Sequence, residues 1–168
     1  MEAKFEDLLG QHITDWQGKE GDDEITIVTV EGNTYRMWHN QGCCEGVYVD
    51  SIVGDWSDLI LLPLLKAEEV CHLNTNPPGV TVPDYQDSYT WTFYKLATAR
   101  GYVDIRWYGS SNGYYSERVD FQLVSGPGVN VGQQMDVALR AQQKQEKAER
   151  EKPRPLPPMS DNIMEQWK

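Results

Sequence analysis

The chain has 168 residues, 39% of them hydrophobic and 11% aromatic, which suits one folded domain with a real core and a tail. The net charge of -11 is concentrated early, since residues 1 to 85 hold 16 Asp and Glu against 4 Lys and Arg. Such a surface repels phosphate backbones and disfavours direct nucleic-acid binding; it serves solubility, or mimics nucleic acid toward a basic partner. The longest apolar run, Leu59 to Leu65, is broken by Pro63, and Met1-Glu2-Ala3-Lys4 leads into acidic sequence. No membrane span or secretory leader is therefore expected, and the expected location is the cytoplasm. Three cysteines, Cys43, Cys44 and Cys71, are too few and odd in number for a disulfide framework.

In chain order, His12 to Gln17 reads as a strand before the polar loop Gly18 to Asp23. Glu24 to Val30 (EITIVTV) is β-branched, Glu31-Gly32-Asn33 turns, and Thr34 to His39 alternates, which together specify a hairpin. Gly46 to Val53 is a further strand, and Asp55 can cap a short helical turn through Leu61 before Pro63 stops it. Leu64 to His72 suits helix or strand and is read as strand; Asn74 to Tyr85 (NTNPPGVTVPDY) is a surface loop.

Three later strands are expected to share an apolar face: Tyr89, Trp91 and Phe93; Val103, Ile105 and Trp107; and Val119, Phe121 and Leu123. Asp104 and Arg106 are expected to meet Asp120 and Arg118 across the ladder. The fold class is thus mainly β (α+β): one antiparallel sheet of about six or seven short strands with a short helical turn, over residues 1 to 125. Residues 126 to 152 read as a Gly/Pro loop and a charged helix from Gln133, and 153 to 168 as a Pro-rich linker and short peptide forming a flexible tail. Lys152 to Pro158 resembles peptides that dock in SH3 grooves, though a linker is the default reading. Ile163, Met164 and Trp167 share one side of a helical turn and are candidate docking residues, on this chain, on a sister subunit in a homo-oligomer, or on a partner.

Gly109-Ser110-Ser111-Asn112-Gly113 matches the G-x-S-x-G pattern of serine hydrolases. That pattern requires a strand turning into a helix; here both flanks are strand-like and Asn112-Gly113 favours a hairpin turn. His39, Cys43, Cys44, Cys71 and His72 are potential zinc ligands if their segments pair, although adjacent Cys43 and Cys44 are expected to point apart; otherwise no cofactor is expected. Carboxylates are abundant, but none is singled out as an acid or base.

The blocks HNQGCCEGVYVDSIVGD (His39 to Asp55) and SYTWTFYKLATARGYVDIRWYGSSNGYYSERVDF (Ser88 to Phe121) resemble a family of small phage and bacterial proteins catalogued as a domain of unknown function, over about residues 5 to 124. The resemblance implies a phage or prophage setting in the bacterial host cytoplasm and a compact β-rich domain. It carries no catalytic residue. The expected function is a non-catalytic accessory protein that binds a host protein, a defence component or a small ligand. Its contact rim is expected at Tyr108, Asn112, Tyr114 and Tyr115 with Arg106 and Trp38, because exposed Tyr, Trp and Arg dominate interface energy. A small metal-dependent enzyme using the His/Cys set and a virion or assembly component are the alternatives.

Overall fold

The computed structural model describes residues 1–85 and 87–126, so the expected charged helix, the polyproline linker and the docking residues Ile163, Met164 and Trp167 lie outside the described residues. Among the described residues eight strands follow one another: β1 (Ile13–Gln17), β2 (Glu24–Thr29), β3 (Thr34–Trp38), β4 (Glu45–Gly54), β5 (Lys66–Leu73), β6 (Ser88–Ala97), β7 (Tyr102–Ser111) and β8 (Asp120–Ser125). They form two four-stranded antiparallel sheets, ordered β1-β2-β3-β8 and β4-β7-β6-β5. The expectation of a single sheet is thereby corrected. An antiparallel sheet with one apolar face must cover that face, and here each sheet covers the other.

The hairpin of β2 and β3 forms as the sequence indicates, with Val28 opposite Thr34 and Gly32 at φ 80° in the turn. Asp55 caps a 3-10 turn, Trp56–Asp58, by accepting from the Ser57 amide at 2.8 Å, and Leu64 to His72 is indeed largely strand. A second 3-10 turn, Phe5–Leu8, was not anticipated; Phe5 and Leu8 are both buried. Phe5 bridges the sheets, with its ring 4.7 Å from Tyr94 of β6 and 5.3 Å from Phe121 of β8. Around it lie Ile25, Ile27, Tyr35 and Met37 from one sheet and Val47, Val49, Val103, Ile105 and Trp107 from the other. Among the described residues no helix is long and apolar enough to cross a membrane.

The phase of β6 is opposite to the expected one. Tyr94 and Leu96 face the core opposite Ile105 and Val103, while Trp91 and Phe93 lie on the outer face beside Tyr108 and Arg106. Trp91 is nonetheless buried, its ring tilted against Tyr108 at 4.5 Å between centroids, and donates its indole N–H to Asn76 of the 74–85 loop. With aromatic residues at both phases and both faces covered, alternation could not select the inner one. The expected pairing of Asp104 and Arg106 with β8 also fails, because β7 lies between β4 and β6. Asp104 instead faces Lys95 at 3.5 Å, and Arg106 donates to Asp50, beside the irregular register of β4, at 2.6 Å.

Gly109 to Gly113 do not form the expected hairpin turn. β7 runs through Ser111 in one sheet and β8 begins at Asp120 in the other, so residues 112–119 are a crossover between sheets and not a hairpin turn. The segment from β3 to β4 also crosses between sheets. Because Trp38 pairs with Asp120 and Glu45 pairs with Ser111, the two crossovers are forced to the same end of the sandwich. The loop entering β6 reaches that end too, since Ser88 pairs with Ser111.

Candidate functional site

The two crossovers are pinned to each other and to the sheets by polar contacts. The Gln41 side chain donates to the carbonyl of Val47 and accepts from its amide, both at 3.2 Å, extending the ladder of β4. Glu45 folds back to accept from the amides of Gly42 and Cys44, which holds its carboxyl below the usual range, Gly42 contributing most. His39 Nδ1 lies 2.8 Å from the carbonyl of Arg118; a carbonyl only accepts, so the proton sits on Nδ1 and Nε2 faces Glu45 at 3.7 Å.

Within the second crossover, Glu117 is 7% exposed and accepts from the hydroxyls of Ser111 at 2.7 Å and Thr90 at 2.8 Å. Ser111 in turn accepts from the Gly113 amide at 3.0 Å. Asn112 accepts from the Tyr114 amide at 3.1 Å, closing a local turn. Gly109 is needed for close approach, since a Cβ there would stand 2.5 Å from the Glu117 carbonyl oxygen. The formal G-x-S-x-G match is thus structural, with Ser111 buried at the end of a strand as a ligand of Glu117.

At the surface of this end, an open pocket of about 410 Å³ is lined by Cys43, Cys44, Glu45, Gly46, Tyr85, Asp87, Ser110, Ser111 and Asn112. The Cys43 and Cys44 sulfurs lie 2.9 Å apart, which corrects the expectation that they diverge. That expectation assumed strand alternation, but both residues lie in a bend before β4. The Tyr115 hydroxyl is 3.2 Å from the Cys43 sulfur. Hydrogen bonds from Cys44, first, and from Tyr115 lower the Cys43 thiol from its ordinary value, while the same contact raises Cys44.

The expected rim residues fall in three places. Asn112, Tyr114 and Tyr115 stand together at this end, with Tyr114 93% and Tyr115 40% exposed. Tyr108 and Arg106 belong to the outer face of the second sheet, where Tyr108 is buried between Trp91 and Tyr48. Trp38 ends β3, half-buried beneath the Arg36 guanidinium at 3.9 Å. Of the expected zinc ligands, His39, Cys43 and Cys44 share one crossover, whereas Cys71 and His72 lie on β5, the edge strand on the far side of β6 from β7 and β4. Cys71 pairs with Thr92 and its thiol is raised by burial; His72 packs its ring on Phe93. Among the described residues no three His, Cys, Asp or Glu form a group that could hold a metal. Sequence reasoning missed Glu45, Tyr85 and Glu117, whose roles arise from contacts between segments and have no local signature.

A family model described as a domain of unknown function (DUF7448) matches residues 6–121. The chain belongs to this family. The match runs from the Phe5–Leu8 turn into β8 and so includes both crossovers. No curated protein and no solved structure matches the chain.

Proposed function

We propose that the domain is a non-catalytic binding module of a bacteriophage or prophage, which engages a protein of the bacterial host through the crossover end of the sandwich. One observation carries this reading: Tyr114 is almost fully exposed, beside half-exposed Tyr115, on a segment anchored by a buried carboxylate, and exposed Tyr85 lines the pocket at the same end. Exposed tyrosine on an ordered backbone loses little conformational entropy when a partner covers it, and such side chains supply much interface energy. The acid-rich first half of the sequence favours a basic partner by steering its approach.

A photo-crosslinking side chain placed at Tyr114 tests the reading, with the same group at Leu61 as control. Leu61 is exposed and follows the Trp56–Asp58 turn, beyond the opposite end of β4. One dominant host species captured from position 114 and not from 61 is expected. Binding of that purified species should then weaken at least about tenfold in Tyr114→Ala/Tyr115→Ala, as for central interface aromatics. Equal capture at both positions, or unchanged affinity in the double variant, would overturn it.

A further inference from the structure

We propose that Cys43 and Cys44 form a thiol–disulfide exchange site that reacts with small cationic disulfides and closes to a vicinal disulfide. Three observations place the chemistry. The two sulfurs touch at 2.9 Å, both cysteines are exposed, and the pocket of about 410 Å³ opens on them. Tyr115 approaches the Cys43 sulfur, and not that of Cys44, with a hydroxyl that can donate to a thiolate. Asp87 lines the pocket together with Glu45, whose carboxylate is turned inward to the Gly42 and Cys44 amides beneath the sulfurs, so the field there attracts positive charge and repels negative.

These contacts assign the two sulfurs different roles. Cys43, whose thiolate can accept from the Tyr115 hydroxyl at 3.2 Å and from the neighbouring Cys44 thiol, is the attacking sulfur; Cys44, able to donate to that thiolate, keeps its proton until the second step. In the first step the Cys43 thiolate attacks one sulfur of the small disulfide, forming a mixed disulfide and releasing one small thiolate. In the second, Cys44 loses its proton to solvent and attacks the Cys43 sulfur, forming the Cys43–Cys44 bond and releasing the second small thiolate. The two protein sulfurs are oxidised by two electrons, and one disulfide is reduced to two thiols. Cys71 has no part in this, since it lies on β5 beside Thr92 and Glu69 with its thiol raised by burial.

The test treats the reduced full chain and, separately, its Cys71→Ser variant with cystamine and follows intact mass. The parent should lose two hydrogens in mass with no lasting adduct, whereas Cys44→Ser should retain one aminoethylthio group, mapped to Cys43. Dithiodipropionate, of similar size and opposite charge, should react at least about fivefold more slowly at low salt, the gap closing at high salt. Tyr115→Phe should slow the first step and move its onset to higher pH while the thermal midpoint stays that of the parent. A lasting adduct on the parent, Cys43→Ser reacting as fast as the parent, or modification led by Cys71 would each overturn the exchange site. Equal rates with the two disulfides would overturn its preference for cations.

Discussion

Ser111 Oγ donates to Glu117 Oε1 at 2.7 Å, a bond between two buried residues that ties the end of β7 to the last turns of the crossover. Together with Thr90 it gives the carboxylate two hydroxyl donors away from solvent. Glu117→Ala would leave both hydroxyls without this acceptor, and the expected loss is about 2–4 kcal/mol of unfolding free energy, read by denaturant titration. Glu117→Gln retains one acceptor and should cost less than half as much. Equal stability of parent and alanine variant would show that the crossover does not depend on Glu117.

Gly109→Ala tests the same junction from the backbone side. Its methyl would meet the Glu117 carbonyl at 2.5 Å, so β7 or the crossover must shift. A loss of about 1–3 kcal/mol is expected, as for overpacking, with no change in the far end of the sheet by amide exchange.

The tyrosines divide by burial, and truncation should separate them. Tyr108 is 3% exposed and contacts Trp91 and Tyr48, so Tyr108→Ala should cost about 3–5 kcal/mol. Tyr114→Ala should leave stability within about 0.5 kcal/mol, because the side chain is 93% exposed. Thermal or denaturant unfolding of both variants measures this, and similar losses would contradict the division.

That division also shows where sequence patterning reaches its limit. Strands such as Glu24–Thr29 and Thr34–Trp38 were legible because a β-branched run and an alternating run flank a glycine turn, all within fifteen residues. Tyr108 was misplaced because Trp107 and Tyr108 are both buried, one on each face of β7, and hydropathy alone does not reveal a loop covering the outer face. Asn112-Gly113 does signal a reversal; the partner of the following strand, β3, is more than eighty residues away and was not indicated locally. Glu117 looked like any surface carboxylate until Ser111 and Thr90 were brought to it. The touching pair of Cys43 and Cys44 was hidden by an assumption of strand geometry in a segment that bends.

Cys43 and Cys71 should alkylate in a defined order. Hydrogen bonds from Cys44 and Tyr115 lower the Cys43 thiol, while burial raises that of Cys71. Because only the thiolate reacts, the iodoacetamide rate at Cys43 should begin to rise at lower pH than at Cys71. Peptide mapping after short pulses between about pH 6 and pH 9 reads the two profiles separately. Superimposed profiles would show that the Tyr115 and Cys44 contacts do not act on Cys43.

Glu69 on β5 supplies a pH dependence of opposite sign to the Asp55 cap. Burial raises its carboxyl above the ordinary value of 4.5, with Glu6 adding to the rise; Cys71, Arg118 and Tyr94 oppose it. A carboxyl raised by folding holds its proton more tightly in the folded chain, so its contribution is complete below the unfolded value and is lost as pH climbs through the folded one. Asp55, lowered by the Ser57 amide, behaves inversely and contributes above its unfolded value. Glu69→Gln keeps the neutral shape at every pH and removes only the first effect. The stability of that variant relative to parent should therefore be near zero at about pH 4 and grow toward pH 7, measured by urea unfolding in a pH series. A difference that is flat across the series, or that falls as pH rises, would show that Arg118 outweighs burial at Glu69 and that this side chain is held as a stabilised anion.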